Sequence, residues 1–142
     1  YNGDITTLQS FEAFHRRFPD IHAIMIGRGA IADPFLAMRI KQLTVPANPL
    51  PSIKAFHDEL VSRYRHIYSG TIPVLGAMKE IWSYLVTGFS NSDALLRRIR
   101  RAKKMKTYDA ALDYVWQNAA WRGICTSAEK CPAATGLPGA RP

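Results

Sequence analysis

The first part of the chain alternates between helical and extended hydrophobic patterns. Between Thr7 and Arg17 apolar side chains recur every three or four residues, which predicts an amphipathic helix with Thr6 or Thr7 as its N-cap. Ile21 to Ile26 is instead a short, almost wholly apolar run, typical of a parallel strand buried on both faces. A second helix is predicted from Ala30 to Gln42. The pattern therefore indicates two βα units of a larger sheet.

The second of these helices has its own predicted buried stripe, which consists of Phe35, Leu36, Ile40 and Leu43. Two parallel strands without neighbours would leave sheet edges uncovered. The sequence therefore also predicts self-association through those exposed edges, unless further strands cover them.

A proline-rich segment, VPANPLP at residues 45–51, is the predicted linker between two domains. Residues 1–44 form the first domain, and residues 52–122 contain four amphipathic helical patterns joined by short loops. The residues that cap these helices or lie in their first turns are predicted to be Ser52, Pro73, Asn91 or Ser92, and Thr107. Such a pattern predicts a small antiparallel four-helix bundle. Residues 123–142, rich in Gly, Pro and small side chains, are predicted to be a disordered tail.

The net charge of the chain indicates a class of binding partner. Lysine and arginine total 19 against 11 acidic residues, which gives a net charge of +8 and favours a polyanionic partner. No apolar run approaches the roughly 18 to 20 residues that a membrane helix needs, and the N-terminus has no secretory pattern. We therefore expect a cytoplasmic protein without a membrane partner.

The basic residues are concentrated in one predicted helix, RRIRRAKKMK. They are Arg97, Arg98, Arg100, Arg101, Lys103, Lys104 and Lys106. A solvated face is the ordinary explanation of a charge run. Here no acid interrupts seven basic residues, and like charges four residues apart repel one another unless a polyanion offsets them. The run therefore favours contact with an RNA backbone.

Two glycine motifs follow two predicted strands, because YNGDI at residues 1–5 is typical of the end of a strand that enters a loop, and Ile21 to Ile26 is the other strand. Asn2-Gly3-Asp4 and Gly27-Arg28-Gly29 would lie on the same rim of a βα sheet, which in a (β/α)8 barrel carries the active site and often a phosphate site. Glycine allows a phosphate to approach the backbone, and Arg28 adds a charge-assisted contact. The alternative is that the glycines form tight turns and Arg28 is solvated. The two motifs together make the phosphate site the preferred interpretation.

These residues also carry a family resemblance. YNGDI and, about twenty residues later, MIGRGAIADPF resemble the last two strands of the tRNA-dihydrouridine synthases, FMN-dependent enzymes that reduce uridines in tRNA. VLGAMKEIWSYL, residues 74–85, is similar to a pattern in the helical tRNA-binding domain that follows their barrel. The resemblance covers roughly residues 1–117. It implies an α/β part followed by an all-α part: the last two βα units of a (β/α)8 barrel and a C-terminal helical domain.

The resemblance also implies residue roles. Asn2, Gly3 and Asp4 would lie beside FMN, Gly27 and Arg28 would bind its phosphate, and NADPH would be the reductant. Lys79 would face tRNA. One departure is visible, because Ile81 stands where the family pattern has tryptophan, and Trp82 follows it.

The family's general-acid cysteine lies on an earlier barrel loop that this chain does not contain. Cys125 and Cys131 follow the helical domain and cannot take that role by motif. We therefore expect the C-terminal portion of an enzyme, inactive alone, whose partner is the N-terminal barrel of the same protein. A stand-alone basic RNA-binding module and a piece of another phosphate-binding barrel remain alternatives.

The remaining candidate residues are interpreted as structural. The four histidines lack metal-ligand spacing, so no metal site is predicted, and His57 is predicted to lie on the surface. Trp82, Trp116, Trp121 and the tyrosines are predicted to form the core of the bundle or its edge.

Overall fold

A computed structural model of the protein describes residues 1–124, which are mostly helical. Within that range the elements are α1 (Leu8–Arg17), α2 (Arg28–Ala32), α3 (Leu36–Ile40), α4 (Leu50–Ile67), α5 (Thr71–Leu85), a 3-10 turn (Val86–Gly88), α6 (Ser92–Arg101) and α7 (Met105–Asn118). No helix in this part of the chain is both long and apolar enough to cross a membrane. Residues 125–142, most of the predicted tail, lie outside the described residues together with Cys125 and Cys131.

Helix α1 agrees with the sequence prediction. The Thr7 hydroxyl accepts a hydrogen bond from the Ser10 amide at 3.0 Å, and the Ser10 hydroxyl accepts one from the Thr7 amide at 3.1 Å. This reciprocal capping satisfies amide groups that have no acceptor within the helix. The helix ends at Arg17, one residue before Phe18-Pro19, because the residue before a proline disfavours the helical conformation.

The predicted strand from Ile21 to Ile26 is wrong. In the described residues this segment makes only an isolated parallel bridge, between Asn2 and Met25. Its predicted burial on both faces is also wrong, since the Met25 side chain is 57% exposed. A single pair of short parallel segments gains few hydrogen bonds and covers little apolar surface, which explains why no ladder extends from the bridge. The parallel direction of the pairing agrees with a βα unit, while the barrel stays a prediction.

The predicted helix from Ala30 to Gln42 is divided into α2 and α3. Pro34 keeps the preceding Asp33 extended, with φ −129° and ψ 95°, so the helix cannot continue through it. The buried Asp33 carboxylate then accepts the Phe35 amide at 3.0 Å and pairs with the Arg39 guanidinium. Only part of the predicted stripe is buried: Phe35 and Leu36 are buried, whereas Leu43, which follows the end of α3 at Ile40, is 55% exposed.

Helices α4 to α7 begin at positions that differ from some predicted caps. Helix α4 begins at Leu50, inside the predicted linker, with Pro51 in its first turn, where a missing amide costs no helical hydrogen bond. Helix α7 begins at Met105, and the Thr107 hydroxyl lies inside the first turn, 3.3 Å from the Lys104 amide. Ser52 and Thr107 are therefore first-turn residues and not N-caps.

One hydrophobic core joins these four helices. Helix α5 contacts α4, α6 and α7, and α6 contacts α7. The largest side chains that this core fully buries are Trp82, Tyr108, Ile53, Met78, Leu85 and Ile99. Phe35 belongs to this core, and α2 packs on α5. The N-terminal segment is therefore held against the helical part of the chain, and the division into two domains stays a prediction.

The segment after α7 packs against the 3-10 turn. Phe89 and Trp121 form an antiparallel bridge, with the Arg122 amide donating to the Gly88 carbonyl at 2.7 Å. A Cβ atom at Gly88 would lie 2.3 Å from the Trp121 ring. Glycine is therefore needed for this close approach, and Trp121 joins the edge of the core as predicted.

Candidate functional site

The residues of the two glycine motifs line one cleft. Its volume is about 420 Å³, and its lining consists of Asn2, Gly3, Asp4, Gly27 and Arg28. The bridge between Asn2 and Met25 places the two loops side by side, although more than twenty residues separate them in the sequence. The structure thus brings together all five residues that were predicted to hold the cofactor.

Arg28 is the cation of this cleft, and its guanidinium pairs with the Asp4 carboxylate. The hydrogen bond and charge of Asp4 raise the pKa of Arg28 above its usual value. Both side chains are more than half exposed, so water screens the pair and it contributes little to folding. The guanidinium can therefore exchange this partner for a phosphate at small cost, while Asp4 keeps a negative charge nearby.

The two glycines beside Arg28 have different surroundings. A Cβ atom at Gly29 would lie 2.2 Å from the Ile5 carbonyl oxygen and 2.9 Å from the Thr6 Cα, so the packing of α2 requires glycine. A Cβ atom at Gly27 would meet nothing within 4 Å, so no packing contact requires glycine there. The room at Gly27 is what a phosphate needs to approach the backbone. A cation and an open backbone approach in one cleft fit the phosphate of FMN.

A second group of charged side chains lies on and after α6. Helix α6 buries Leu95 and Ile99 and ends at Arg101, so the basic run continues into the connection to α7. We call six exposed residues the basic surface: Arg97, Arg98, Arg100, Arg101, Lys103 and Lys104. Among residues 1–124 no salt bridge involves any of the six. The structure therefore presents these cations to solvent on α6 and on the connection to α7.

Comparison with known proteins adds the family. Residues 1–120 match the family model described as dihydrouridine synthase (Dus). The chain belongs to the dihydrouridine synthase family. No curated protein and no solved structure matches the chain. Family membership supports a dihydrouridine synthase-like oxidoreductase that takes part in tRNA processing.

Lys79 in this family member is half-buried on α5. Its ammonium group donates a hydrogen bond to the carbonyl oxygen of Ala102, the residue at the C-terminal end of α6. The last carbonyl groups of a helix have no intrahelical donor and carry partial negative charge, so a cation there is favourable. Lys79 thus connects α5 to the helix that carries much of the basic surface. Its contact with tRNA stays a prediction.

The prediction that His57 lies on the surface is wrong. The side chain is buried, with Nε2 3.0 Å from the Tyr108 hydroxyl and Nδ1 2.9 Å from the Asp58 carboxylate. Burial lowers the pKa of His57, and Asp58 partly offsets this effect. His57 follows the buried Ile53 by four residues, which is the helical spacing of one face and could have identified it.

Tyr114 is one of three exposed tyrosines, with Tyr1 and Tyr68. Tyr114 on α7 is 42% exposed, and the Arg98 guanidinium lies over its ring, 4.2 Å from the centroid. Nothing in the spacing of Arg98 and Tyr114 indicates this contact, because it depends on how α6 packs on α7. Among residues 1–124, no three His, Cys, Asp or Glu side chains gather closely enough to hold a metal ion.

Proposed function

We propose that the chain is the C-terminal portion of an FMN-dependent oxidoreductase that reduces uridine to dihydrouridine in tRNA. The observation that supports it best is the cleft of Asn2, Gly3, Asp4, Gly27 and Arg28 in a chain of the dihydrouridine synthase family. The same five positions match the flavin-facing motifs that the resemblance implies. The proposal therefore joins a family match with an arrangement of side chains suited to a phosphate.

In this proposal the chain binds and orients the cofactor. Arg28 holds the FMN phosphate by charge-assisted hydrogen bonds, and Gly27 allows that phosphate to approach the backbone. Asn2, Gly3 and Asp4 lie beside the rest of the flavin. When bound, FMN would supply the chemistry for a two-electron reduction of the uracil base, with NADPH as its reductant. The general-acid cysteine belongs to a loop outside this sequence, so the proposal predicts no turnover by the chain alone.

The basic surface would hold the tRNA. Contacts between its lysine and arginine side chains and RNA phosphates give affinity that depends on salt and little on sequence. The uridine to be reduced must leave its stack to reach the flavin, and its identity would be read in the catalytic pocket. The helical part would thus position the RNA, and the barrel would perform the reduction.

The cofactor role of Arg28 can be tested in the full-length protein. Arg28→Ala should lower FMN retained after dialysis about tenfold or more, because the phosphate loses a charge-assisted hydrogen bond. Riboflavin, which has no phosphate, should bind both forms equally. Arg16→Ala, an exposed arginine on α1, is the matched control. Equal FMN content in the Arg28→Ala and Arg16→Ala proteins would contradict the assignment.

The reaction itself can be tested with the same full-length protein. With NADPH and an unmodified tRNA transcript, mass spectrometry should detect the gain of two hydrogens on one or more uridines. An FMN-loaded protein that binds the transcript but leaves every uridine unreduced would argue against the proposed activity.

A further inference from the structure

A second cleft lies between α6 and α7, apart from the cofactor cleft. Its volume is about 860 Å³, and both helices line it. Arg97, Arg98 and Arg101 line it from α6, and Ala110, Tyr114 and Asn118 line it from α7. Clefts of roughly 300–1,000 Å³ are typical of sites for small organic ligands. This cleft therefore has room for a nucleotide.

The wall of this cleft contains an aromatic platform. Arg98 and Tyr114 are both exposed, and the guanidinium carbon lies over the ring, 4.2 Å from its centroid. A cation over an aromatic ring is attracted by the negative face of the ring, so each side chain limits the motion of the other. The pair presents a flat surface to solvent that is already ordered. Nucleobases stack on flat surfaces of this kind, on either tyrosine rings or arginine planes.

Two further arginines stand on the same helix beside this platform. Arg97 precedes Arg98, and Arg101 follows Arg97 by four residues, which places Arg97 and Arg101 on one side of α6. Asp93, the acid that lines the cleft, lies in the first turn of α6, eight residues before Arg101. At 1.5 Å per residue the two positions are about 12 Å apart along the helix, so the cations dominate the end near Arg101.

From this arrangement we propose that the cleft between α6 and α7 holds one unstacked nucleotide of an RNA. The base stacks on the Arg98–Tyr114 pair, and the adjoining phosphates contact Arg97 and Arg101. This proposal rests on the proposed function, because it assumes that the basic surface binds RNA. It assigns the binding of a base, in addition to phosphates, to one part of that surface.

The chemistry of the cleft favours RNA over an acidic peptide. A peptide carboxylate would use the arginines but would gain nothing from a tyrosine ring covered by a guanidinium. A continuous RNA duplex would use the arginines as well, yet the faces of its bases are hidden by stacking. Only a nucleotide outside a continuous stack uses both the cations and the flat surface.

The test compares RNA affinities of the complete chain and three variants. Tyr114→Ala removes the ring, Tyr114→Phe keeps it, and Arg98→Lys keeps the charge but removes the plane. With a fluorescent single-stranded oligouridine, Tyr114→Ala and Arg98→Lys should each weaken binding about tenfold, while Tyr114→Phe binds as the unchanged chain does. Circular dichroism and thermal unfolding of each variant identify any effect that comes from misfolding.

Three other probes separate stacking from charge. Binding of heparin, of polyglutamate and of a fully paired RNA duplex should be equal for Tyr114→Ala and Tyr114→Phe, because none of them offers an unstacked base. Polyglutamate binding that falls as much as oligouridine binding would assign the cleft to acidic peptides and overturn the proposal.

A covalent probe locates the base. An oligonucleotide that carries 5-iodouridine should form a photo-cross-link at Tyr114, which mass spectrometry of the digested protein identifies. A chain that binds neither tRNA nor oligouridine would overturn the proposed RNA role and this inference together. A chain that binds both with unchanged affinity after Tyr114→Ala would overturn the nucleotide site alone.

Discussion

Gly27 and Gly29 belong to one three-residue motif, yet the structure gives them different roles. Gly29 is required by packing, because its Cα lies against the backbone of Ile5 and Thr6. Gly27 stands beside open space in the cofactor cleft. At the scale of single residues, a sequence motif thus combines a folding requirement at Gly29 with a proposed binding role at Gly27.

Alanine substitutions should separate these two requirements. Gly29→Ala should lower the free energy of unfolding by about 1–3 kcal/mol, because its Cβ would overlap a backbone carbonyl that cannot easily move. Gly27→Ala should leave this free energy within about 0.5 kcal/mol of the unchanged chain. Urea unfolding measures both values. Equal losses at the two positions would contradict the packing argument.

His57 makes the stability of the chain depend on pH. Burial lowers its pKa in the folded state, so the folded chain favours the neutral imidazole, while the unfolded chain binds a proton near the ordinary pKa of about 6.5. Stability is therefore complete above that value and falls as pH falls below it, by at most about 1.4 kcal/mol per pH unit.

The measurement is urea unfolding at about pH 7.5 and about pH 5.5, across the range in which histidine titrates. His57→Gln keeps a hydrogen-bonding side chain without a titratable group, so its stability should change less between the two conditions. A His57→Gln protein with the same pH dependence as the unchanged chain would exclude His57 as the cause.

At the scale of elements, the C-terminal end of α6 contacts α5 and also leads into the connection that carries the rest of the basic surface. The Ala102 carbonyl accepts the Lys79 ammonium from α5, and the chain then turns through Lys103 and Lys104 into α7. A lysine that the resemblance assigns to tRNA is thus also a link between two helices. A link between helices predicts that loss of the Lys79 ammonium lowers the free energy of unfolding, whereas contact with tRNA alone predicts no such change.

Lys79→Met keeps the aliphatic stem and removes the donor. It should lower the free energy of unfolding by about 1 kcal/mol, because the carbonyl of a buried residue loses its hydrogen-bond partner. Lys103→Met, an exposed lysine nearby, is the control and should change stability by less than about 0.5 kcal/mol. If Lys79→Met weakens only tRNA binding and leaves thermal unfolding unchanged, the role in packing is wrong.

At the scale of the whole molecule, positive charge is unevenly distributed. Some other cations have acidic partners: Lys54 pairs with Asp58 at 2.8 Å and Arg63 with Glu59 at 2.7 Å, both on α4. The basic surface has no such partners among the described residues. Six cations without an acidic partner among residues 1–124 therefore follow one another on and after α6, in the region that we propose binds a polyanion.

Salt dependence tests this region. Replacement of the six basic-surface residues by glutamine should reduce the slope of log affinity for tRNA against log salt by about 1 for each phosphate that these side chains neutralise. The double variant Lys54→Gln/Arg63→Gln removes two cations that already have partners, and its slope should change less. An equal change in slope for each cation removed in the two variants would mean that tRNA responds only to net charge.

Several features could be predicted because they depend on neighbours along the chain. The Thr7 cap, the end of α1 near Pro19 and the apolar faces of α5 and α6 follow from local spacing and local hydrogen bonds. The break at Asp33-Pro34 is also local and could have been predicted from the proline. The strand at Ile21 to Ile26 could not be decided locally, because a strand requires hydrogen-bond partners from elsewhere in the sequence.

By itself the sequence determined the family motifs, the basic run and the positions of most helices, since periodicity and motif spacing are properties of neighbouring residues. Only the tertiary structure decided which distant residues meet. It placed Asn2, Gly3 and Asp4 beside Gly27 and Arg28, and buried His57 against Tyr108. It also laid Arg98 over the ring of Tyr114. These contacts depend on how the elements pack, and packing is a sum over many weak interactions that no single stretch of sequence contains.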